Sequence, residues 1–166
     1  MLNPDGSMFT GWGLDLMDAD RRTFTNAIDL MGDTSTAVVG NPFCLFRDSR
    51  GTCWMSTMDH GIYKFKYSDR RIKDVEHIIA APMVDGKLSN AFVTCIREDD
   101  RGNIWLGTYG GGVNKYDPNT AKFIQFTTDN GLPNNVIYGV EVDAHDRIWF
   151  TSNAGISCLD QHTGRE

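Results

Sequence analysis

Apolar residues fall in short runs separated by polar turns, and the runs follow a fixed order. Phe43 to Phe46, Phe92 to Ile96 and Val136 to Val142 are nearly continuous apolar stretches, the pattern expected of strands buried on both faces. After a polar turn each leads into a tryptophan-bearing stretch: Cys53-Trp54-Met55, Ile104-Trp105-Leu106 and Ile148-Trp149-Phe150. A glycine then opens a third apolar stretch, at Gly61-Ile62-Tyr63, Gly112-Val113-Asn114 and Gly155-Ile156-Ser157. Phe24, Ile72 to Val75 and Phe123 to Phe126 form a fourth, returning run. No amphipathic stretch of helical period and useful length interrupts this order. The pattern predicts units of four short strands, A to D, with tryptophan on strand B.

The units repeat. Asp48-Ser49-Arg50-Gly51-Thr52-Cys53-Trp54 aligns with Asp99-Asp100-Arg101-Gly102-Asn103-Ile104-Trp105 and with Asp143-Ala144-His145-Asp146-Arg147-Ile148-Trp149. A degraded copy, Asp5-Gly6-Ser7-Met8-Phe9, places Phe9 at the tryptophan position, and the four aromatics recur at intervals of 45, 51 and 44 residues. In the A–B turn the aspartate carboxylate accepts backbone N–H groups and the glycine takes a positive φ; in the last copy Asp146 stands in for glycine and tolerates that conformation better than most residues. Four strands at this period predict an all-β fold of β-propeller blades, each a small antiparallel sheet packed on its neighbours. Blades are expected at about 3–30, 38–80, 88–128 and 132–166. The first enters at strand B and the last leaves after strand C, so the expectation is about four blades forming an arc of a larger propeller. A closed four-bladed ring is the competing arrangement. An open arc exposes apolar flanks, which points to association, either with the remainder of a larger propeller or as a homo-oligomer.

Trp105-Leu106-Gly107-Thr108, then Gly111-Gly112-Val113 and Tyr116-Asp117-Pro118, then Asn130-Gly131-Leu132-Pro133-Asn134-Asn135-Val136, resemble the two-component regulator propeller repeat. The match is strong in the third and fourth units, fair in the second, where Met55-Ser56-Thr57 replaces the Gly-Thr pattern, and weak in the first. The resemblance implies the extracytoplasmic, periplasmic sensor part of a membrane-bound histidine kinase, many of which are hybrid kinase–regulators responding to oligosaccharides. No kinase histidine box, ATP lid or receiver pattern is present in these residues, so the resemblance concerns the sensing half.

Composition narrows the function classes. Of 166 residues, 16 are Lys or Arg against 22 Asp or Glu, a net charge of −6 that lacks the basic surplus required to grip nucleic acid or an anionic membrane. No apolar run approaches a membrane span, and no signal-peptide pattern opens the sequence. Cys44, Cys53, Cys95 and Cys158 are too scattered for a zinc site and too few for a disulfide framework, so free thiols are expected. The recurrent Asp48, Asp99 and Asp143 lack the dense oxygen set of a calcium loop. No metal or other cofactor is expected.

Strand order places the B–C loops and the D–A connections at one end of the fold. They bring together Trp12, Asp59, His60, Tyr109, Asn134 and Asn153. Aromatic faces stack on the apolar side of a pyranose while amides and carboxylates bond its hydroxyls, so these are the candidate ligand-binding residues, with a small molecule or an oligosaccharide as ligand. Asn90 and Asn134 also suit plain turn capping. Phe9, Trp54, Trp105 and Trp149 are expected in the core. Propeller lyases and lactonases such as streptogramin lyase share the Asp-x-x-Gly turns, so catalysis is an alternative, as is a protein-binding scaffold. Of the four histidines only His60 falls on the loop-rich face, and no Ser-His-Asp set converges, so no catalytic residue is assigned.

Overall fold

The computed structural model describes residues 8–10, 15–20, 22–26 and 41–161. Among them are fourteen strands in four antiparallel sheets and one 3-10 turn, Thr128–Asn130. The first sheet holds β1 (Met8–Thr10), β2 (Asp15–Met17) and β3 (Phe24–Asn26). The second holds β4 (Pro42–Arg47), β5 (Thr52–Thr57), β6 (Ile62–Ser68) and β7 (Arg71–Ile78). The third holds β8 (Val93–Glu98), β9 (Ile104–Thr108), β10 (Val113–Asp117) and β11 (Lys122–Phe126), and the fourth β12 (Ile137–Val142), β13 (Arg147–Ser152) and β14 (Gly155–Asp160). Within each sheet the strands lie side by side in chain order. The chain therefore shows strands B, C and D in the first sheet, A to D in the next two, and A, B and C in the fourth.

The A strands β4, β8 and β12 pack on one another in succession, whereas the outer strands β7 and β11 pack chiefly within their own sheets. Sheets arranged so fan out from a common inner edge, which is propeller geometry. The core lies between sheets. Leu16 packs on Cys53, Met55 and Phe65; Trp54 and Ile62 pack on Ile96, Ile104, Leu106 and Tyr116; Trp105 and Val113 pack on Ile137, Val140, Ile148 and Phe150.

Two expectations about burial are corrected. The strands buried on both faces are the tryptophan strands: every residue of β9 is buried, and all of β5 except Thr52. The A strands are only partly covered, with Phe43 and Tyr138 exposed, because an A strand forms the inner edge of its sheet and turns one side toward the axis. The tryptophan position is core at Trp54 and Trp105, but Trp149 is only half-buried. No sheet among the described residues covers its flank. The side chain of Phe9 lies outside the described residues.

The A–B turns show why Asp-x-x-Gly and Trp recur together. Asp48 accepts the backbone N–H of Thr52 at 2.7 Å and the indole Nε1–H of Trp54 at 2.9 Å. Asp99 accepts the N–H of Asn103 at 2.8 Å and the indole of Trp105 at 2.8 Å, and Asp143 accepts the indole of Trp149 at 2.9 Å. One carboxylate thus closes the turn and fixes the ring that fills the wedge to the next sheet. Burial pushes the Asp99 carboxyl up, but the bonds from Trp105 and Asn103 outweigh it and hold it below the usual range. Hydrogen bonds from Trp149 and Arg147 hold Asp143 lower still. Asp146 takes the predicted positive φ, 58°.

Opposite the tryptophan, strand C supplies a cation over the ring: Lys64 lies 5.6 Å from the Trp54 centroid and Lys115 5.2 Å from that of Trp105. Lys64 also pairs with Glu76 at 2.6 Å. Burial works against its charge, but Glu76 and the Tyr116 hydroxyl more than offset this and raise its pKa. The four cysteines are free, and burial pushes the Cys53 thiol up to about 11.

Candidate functional site

The B–C loops and D–A connections share one end of the fold and are stitched together there by backbone bonds. Met58 N–H donates to the Asn41 carbonyl (3.2 Å) and Tyr109 N–H to that of Phe92 (2.9 Å), tying each loop to the entry of its own sheet. Gly61 N–H reaches the carbonyl of Ala91 (3.1 Å), while Gly110 and Gly112 reach that of Asn135 (3.0 and 2.9 Å), tying each loop to the entry of the next sheet. Every described B–C loop in the two complete sheets therefore straddles a seam. Gly112 is required for this approach: its φ is 72°, and a Cβ there would run into the carbonyl oxygen of Phe126.

Across this stitched face runs a ribbon of aromatic rings that crosses three sheets. Phe43 meets Phe92 edge-on at 5.1 Å, Phe92 stacks on Tyr109 at 5.5 Å and 25°, and Tyr109 meets Tyr138 at 6.5 Å. Phe43, Tyr109 and Tyr138 are 48%, 51% and 52% exposed, so each keeps about half its surface in solvent. The ribbon ends in a polar clasp, where the Tyr138 hydroxyl donates to Asn153 Oδ1 at 2.9 Å.

The sequence-predicted residues distribute along and beside it. Tyr109 is its centre and Asn153 its end. Asp59 and His60 sit on the neighbouring B–C loop, where Asp59 Oδ1 and His60 Nδ1 are 2.6 Å apart and both side chains are largely exposed. The loop is held from below by His77, whose Nε2 lies 2.6 Å from the His60 carbonyl and whose ring stacks on Tyr63 at 4.2 Å. Asn134 Oδ1 accepts the N–H of Val136 at 2.7 Å, as Asn90 Oδ1 accepts that of Phe92 at 2.8 Å, so both carboxamides close the turns that enter strand A. Trp12 lies outside the described residues. Phe43, Phe92 and Tyr138 were not singled out from the sequence, because each sits within an apolar A-strand run that reads as core.

Among the described residues no three His, Cys, Asp or Glu side chains converge to hold a metal ion. A separate cleft of about 380 Å³ opens on the outer rim between the second and third sheets, lined in part by Glu76, His77, Lys87, Tyr116 and Phe123. Its Glu76 is committed to Lys64.

Comparison with known proteins is consistent with this architecture. Residues 87–110 match the sequence model of the two component regulator propeller family. A 60-residue stretch is 32% identical to histidine kinase P4 of Formosa agariphila, covering 34% of this chain and 4% of that protein. The extracellular domain of the putative hybrid two component system BT4673 of B. thetaiotaomicron superposes with a TM-score of 0.65 at 26% identity, over 83% of this chain and 18% of that one. For the corresponding domain of BT3049 the TM-score is 0.79 at 18% identity, over 98% of this chain and 23% of that one, a likeness of fold alone. The match to the repeat is confined to residues 87–110, the fold is that of β-propeller blades, and the chain spans a small part of the length of each of these relatives.

Proposed function

We propose that this chain is a non-catalytic, ligand-binding part of the extracytoplasmic sensor propeller of a two-component histidine kinase, and that its ligand is an oligosaccharide. The exposed ribbon Phe43–Phe92–Tyr109–Tyr138 with its Asn153 clasp carries the reading. Open aromatic faces stack on the apolar sides of sugar rings, and the adjoining phenol and carboxamide bond hydroxyls. Asp59 and His60 add acceptor and donor groups from the neighbouring loop. Because the ribbon crosses three sheets, a chain of several sugars touches all of it, whereas a single ring touches one step.

The stitching across the seams supplies a mechanism. A ligand lying along the ribbon contacts loops that are themselves hydrogen-bonded across the seams, so it favours whichever seam geometry it fits best, by the difference in affinity between the two geometries. A shift of that kind is the signal a sensor passes on.

The test is binding to an immobilised panel of neutral and acidic oligosaccharides, followed by calorimetry on any ligand found. Tyr109→Ala and Tyr138→Ala are expected to weaken binding at least about fivefold, each costing about 1–3 kcal/mol for the loss of one stacked contact, with thermal stability nearly unchanged. Full binding by the double variant overturns the site. Turnover of a lactone or cyclic ester, lost in His60→Ala, replaces the sensor reading with a lyase one.

A further inference from the structure

The loop that carries the exposed Tyr109 is seated on buried polar side chains. Thr108 and Asn114 are 0% exposed and Ser89 is 7% exposed. Thr108 ends β9, Asn114 lies on β10, and Ser89 lies in the connection from the second sheet to the third. Asn114 Oδ1 accepts the backbone N–H of Ser89 at 2.9 Å, and Asn114 Nδ2 donates to Ser89 Oγ at 2.7 Å. Ser89 Oγ is left to donate its one proton, which it gives to the Gly111 carbonyl at 2.7 Å. Thr108 closes the same loop from within, donating its hydroxyl to the Gly112 carbonyl and accepting the N–H of Gly111. A Cβ on Gly111 would lie 2.5 Å from Ser89 Oγ, so the loop rests on that hydroxyl with no room for a side chain.

The register shows that folding alone does not demand a carboxamide on β10. Asn114 pairs with Leu106 and Gln125, and the same position in the second sheet holds Tyr63, paired with Met55 and His77. A buried carboxamide costs stability unless its polar atoms find partners, and Asn114 turns both of its polar atoms to Ser89. In the two sheets the position nevertheless does the same job. His60 and Gly111 precede the equivalent glycines Gly61 and Gly112, and the carbonyl of each is bonded by a side chain. His77 Nε2 holds that of His60 at 2.6 Å, its ring stacked on Tyr63 at 4.2 Å and 5°. Ser89 holds that of Gly111 and is itself held by Asn114. In both cases a buried strand-C side chain orients a donor, and the donor holds the loop.

The two loops are thus held by separate devices, and one of them carries the ring that touches both Phe92 and Tyr138. We infer that Ser89, oriented by Asn114, is the positioning residue for Tyr109: it fixes the loop that aims this ring along the ribbon, independently of the Asp59–His60 loop. The role rests on the ligand-binding reading, in which Tyr109 is the central stacking ring.

The experiment is fluorine NMR of the chain labelled with meta-fluorotyrosine, the Tyr109 signal being identified by its loss in Tyr109→Phe, together with amide hydrogen exchange. In Ser89→Ala the Tyr109 signal is expected to shift or broaden and exchange at Gly110 and Gly112 to speed up at least about tenfold, while the Tyr63 signal stays in place. Ser89→Cys fills the same space with a weaker donor; it is expected to move the same signals less, and it carries the test if the alanine variant does not fold. His77→Phe keeps a ring on Tyr63 and removes the donor, and is expected to speed exchange at Gly61 while leaving Tyr109 unmoved. A folded Ser89 variant with Tyr109, Gly110 and Gly112 unchanged overturns the role. So does a shift of all five tyrosine signals, which marks a general loosening in place of a local one. No ligand enters these measurements, so their failure leaves the binding reading standing, whereas an oligosaccharide panel with nothing retained removes that reading whatever the spectra show.

Discussion

Trp105 and Trp149 each follow an isoleucine at the same position of the repeat, and each donates its indole N–H to the equivalent turn aspartate, at 2.8 and 2.9 Å. Yet the first is sealed and the second is half-buried. The difference comes from the neighbouring sheet: Trp105 has Phe150 tilted over it at 6.3 Å and Lys115 opposite, whereas Trp149 has Arg147 over its ring at 5.4 Å. In a repeat protein the sequence of a unit sets its turn and strand geometry, while the energetic weight of its residues is set by the adjoining unit.

That contrast can be broken or sharpened by substitution. Trp105→Ala is expected to cost about 3–5 kcal/mol, the usual loss on emptying a buried aromatic site. Trp149→Ala is expected to cost only ~1–2 kcal/mol, in proportion to a partly buried side chain. Urea unfolding of both variants checks this, and equal losses would mean that the fourth sheet's flank is sealed in solution.

Gly107 and Thr151 form the next pair. A Cβ at Gly107 would lie 2.5 Å from Cys95 Sγ and 2.7 Å from Ile137 Cγ2 across the seam, so Gly107→Ala is expected to destabilise by about 1–3 kcal/mol through overpacking. Thr151, at the same register position, is exposed, and Thr151→Ala is expected to stay within about 0.5 kcal/mol of wild type. Thermal unfolding of the two variants side by side separates seam from flank.

The turn aspartates repeat the contrast electrostatically. Asp99→Ala strands a buried indole N–H, at about 1–3 kcal/mol, while at Asp143 the freed groups reach water and the loss is smaller. Asp99 has its pKa lowered on folding, so its contribution is complete above the unfolded value of about 3.9 and is lost as pH falls through the lower folded value. The melting temperature of Asp99→Asn is therefore expected to fall less steeply than that of wild type as pH drops below about 4. Parallel pH profiles would show that the carboxylate is not what the Trp105 turn depends on.

Much of the fold was legible because each A–B turn announces itself: Asp, then Gly or Asp146, then Trp gives strand order, turn type and the face on which the loops gather. The burial of individual strands was not legible. Phe43, Phe92 and Tyr138 lie in apolar runs that read as core, and only the inner-edge position of their strands turns them toward solvent. That same ambiguity concealed most of the aromatic ribbon, while Tyr109 stood out because no repeat rule demands an aromatic there, and Asn153 because it lies in a B–C loop. Nor does the shared Asp, Ile and Trp of the turn reveal that Trp149 is less buried than Trp105, because the difference lies in what packs on each ring. The hydrogen-bonded turn role of Asn134 was already among the expectations for it, and the sequence offered no way to choose between that role and ligand contact.

The most direct test of the ligand face is a map of backbone amide shifts in the 166-residue chain during titration with a bound oligosaccharide. The predicted result is a contiguous set of shifts along Phe43, Asp59 to Gly61, Phe92, Tyr109 to Gly112, Tyr138 and Asn153, spanning both stitched seams. Shifts confined to the A–B turns at Asp48, Asp99 and Asp143, or to the outer cleft around Glu76 and Lys87, would contradict it and move the binding face to the other end or the rim of the propeller.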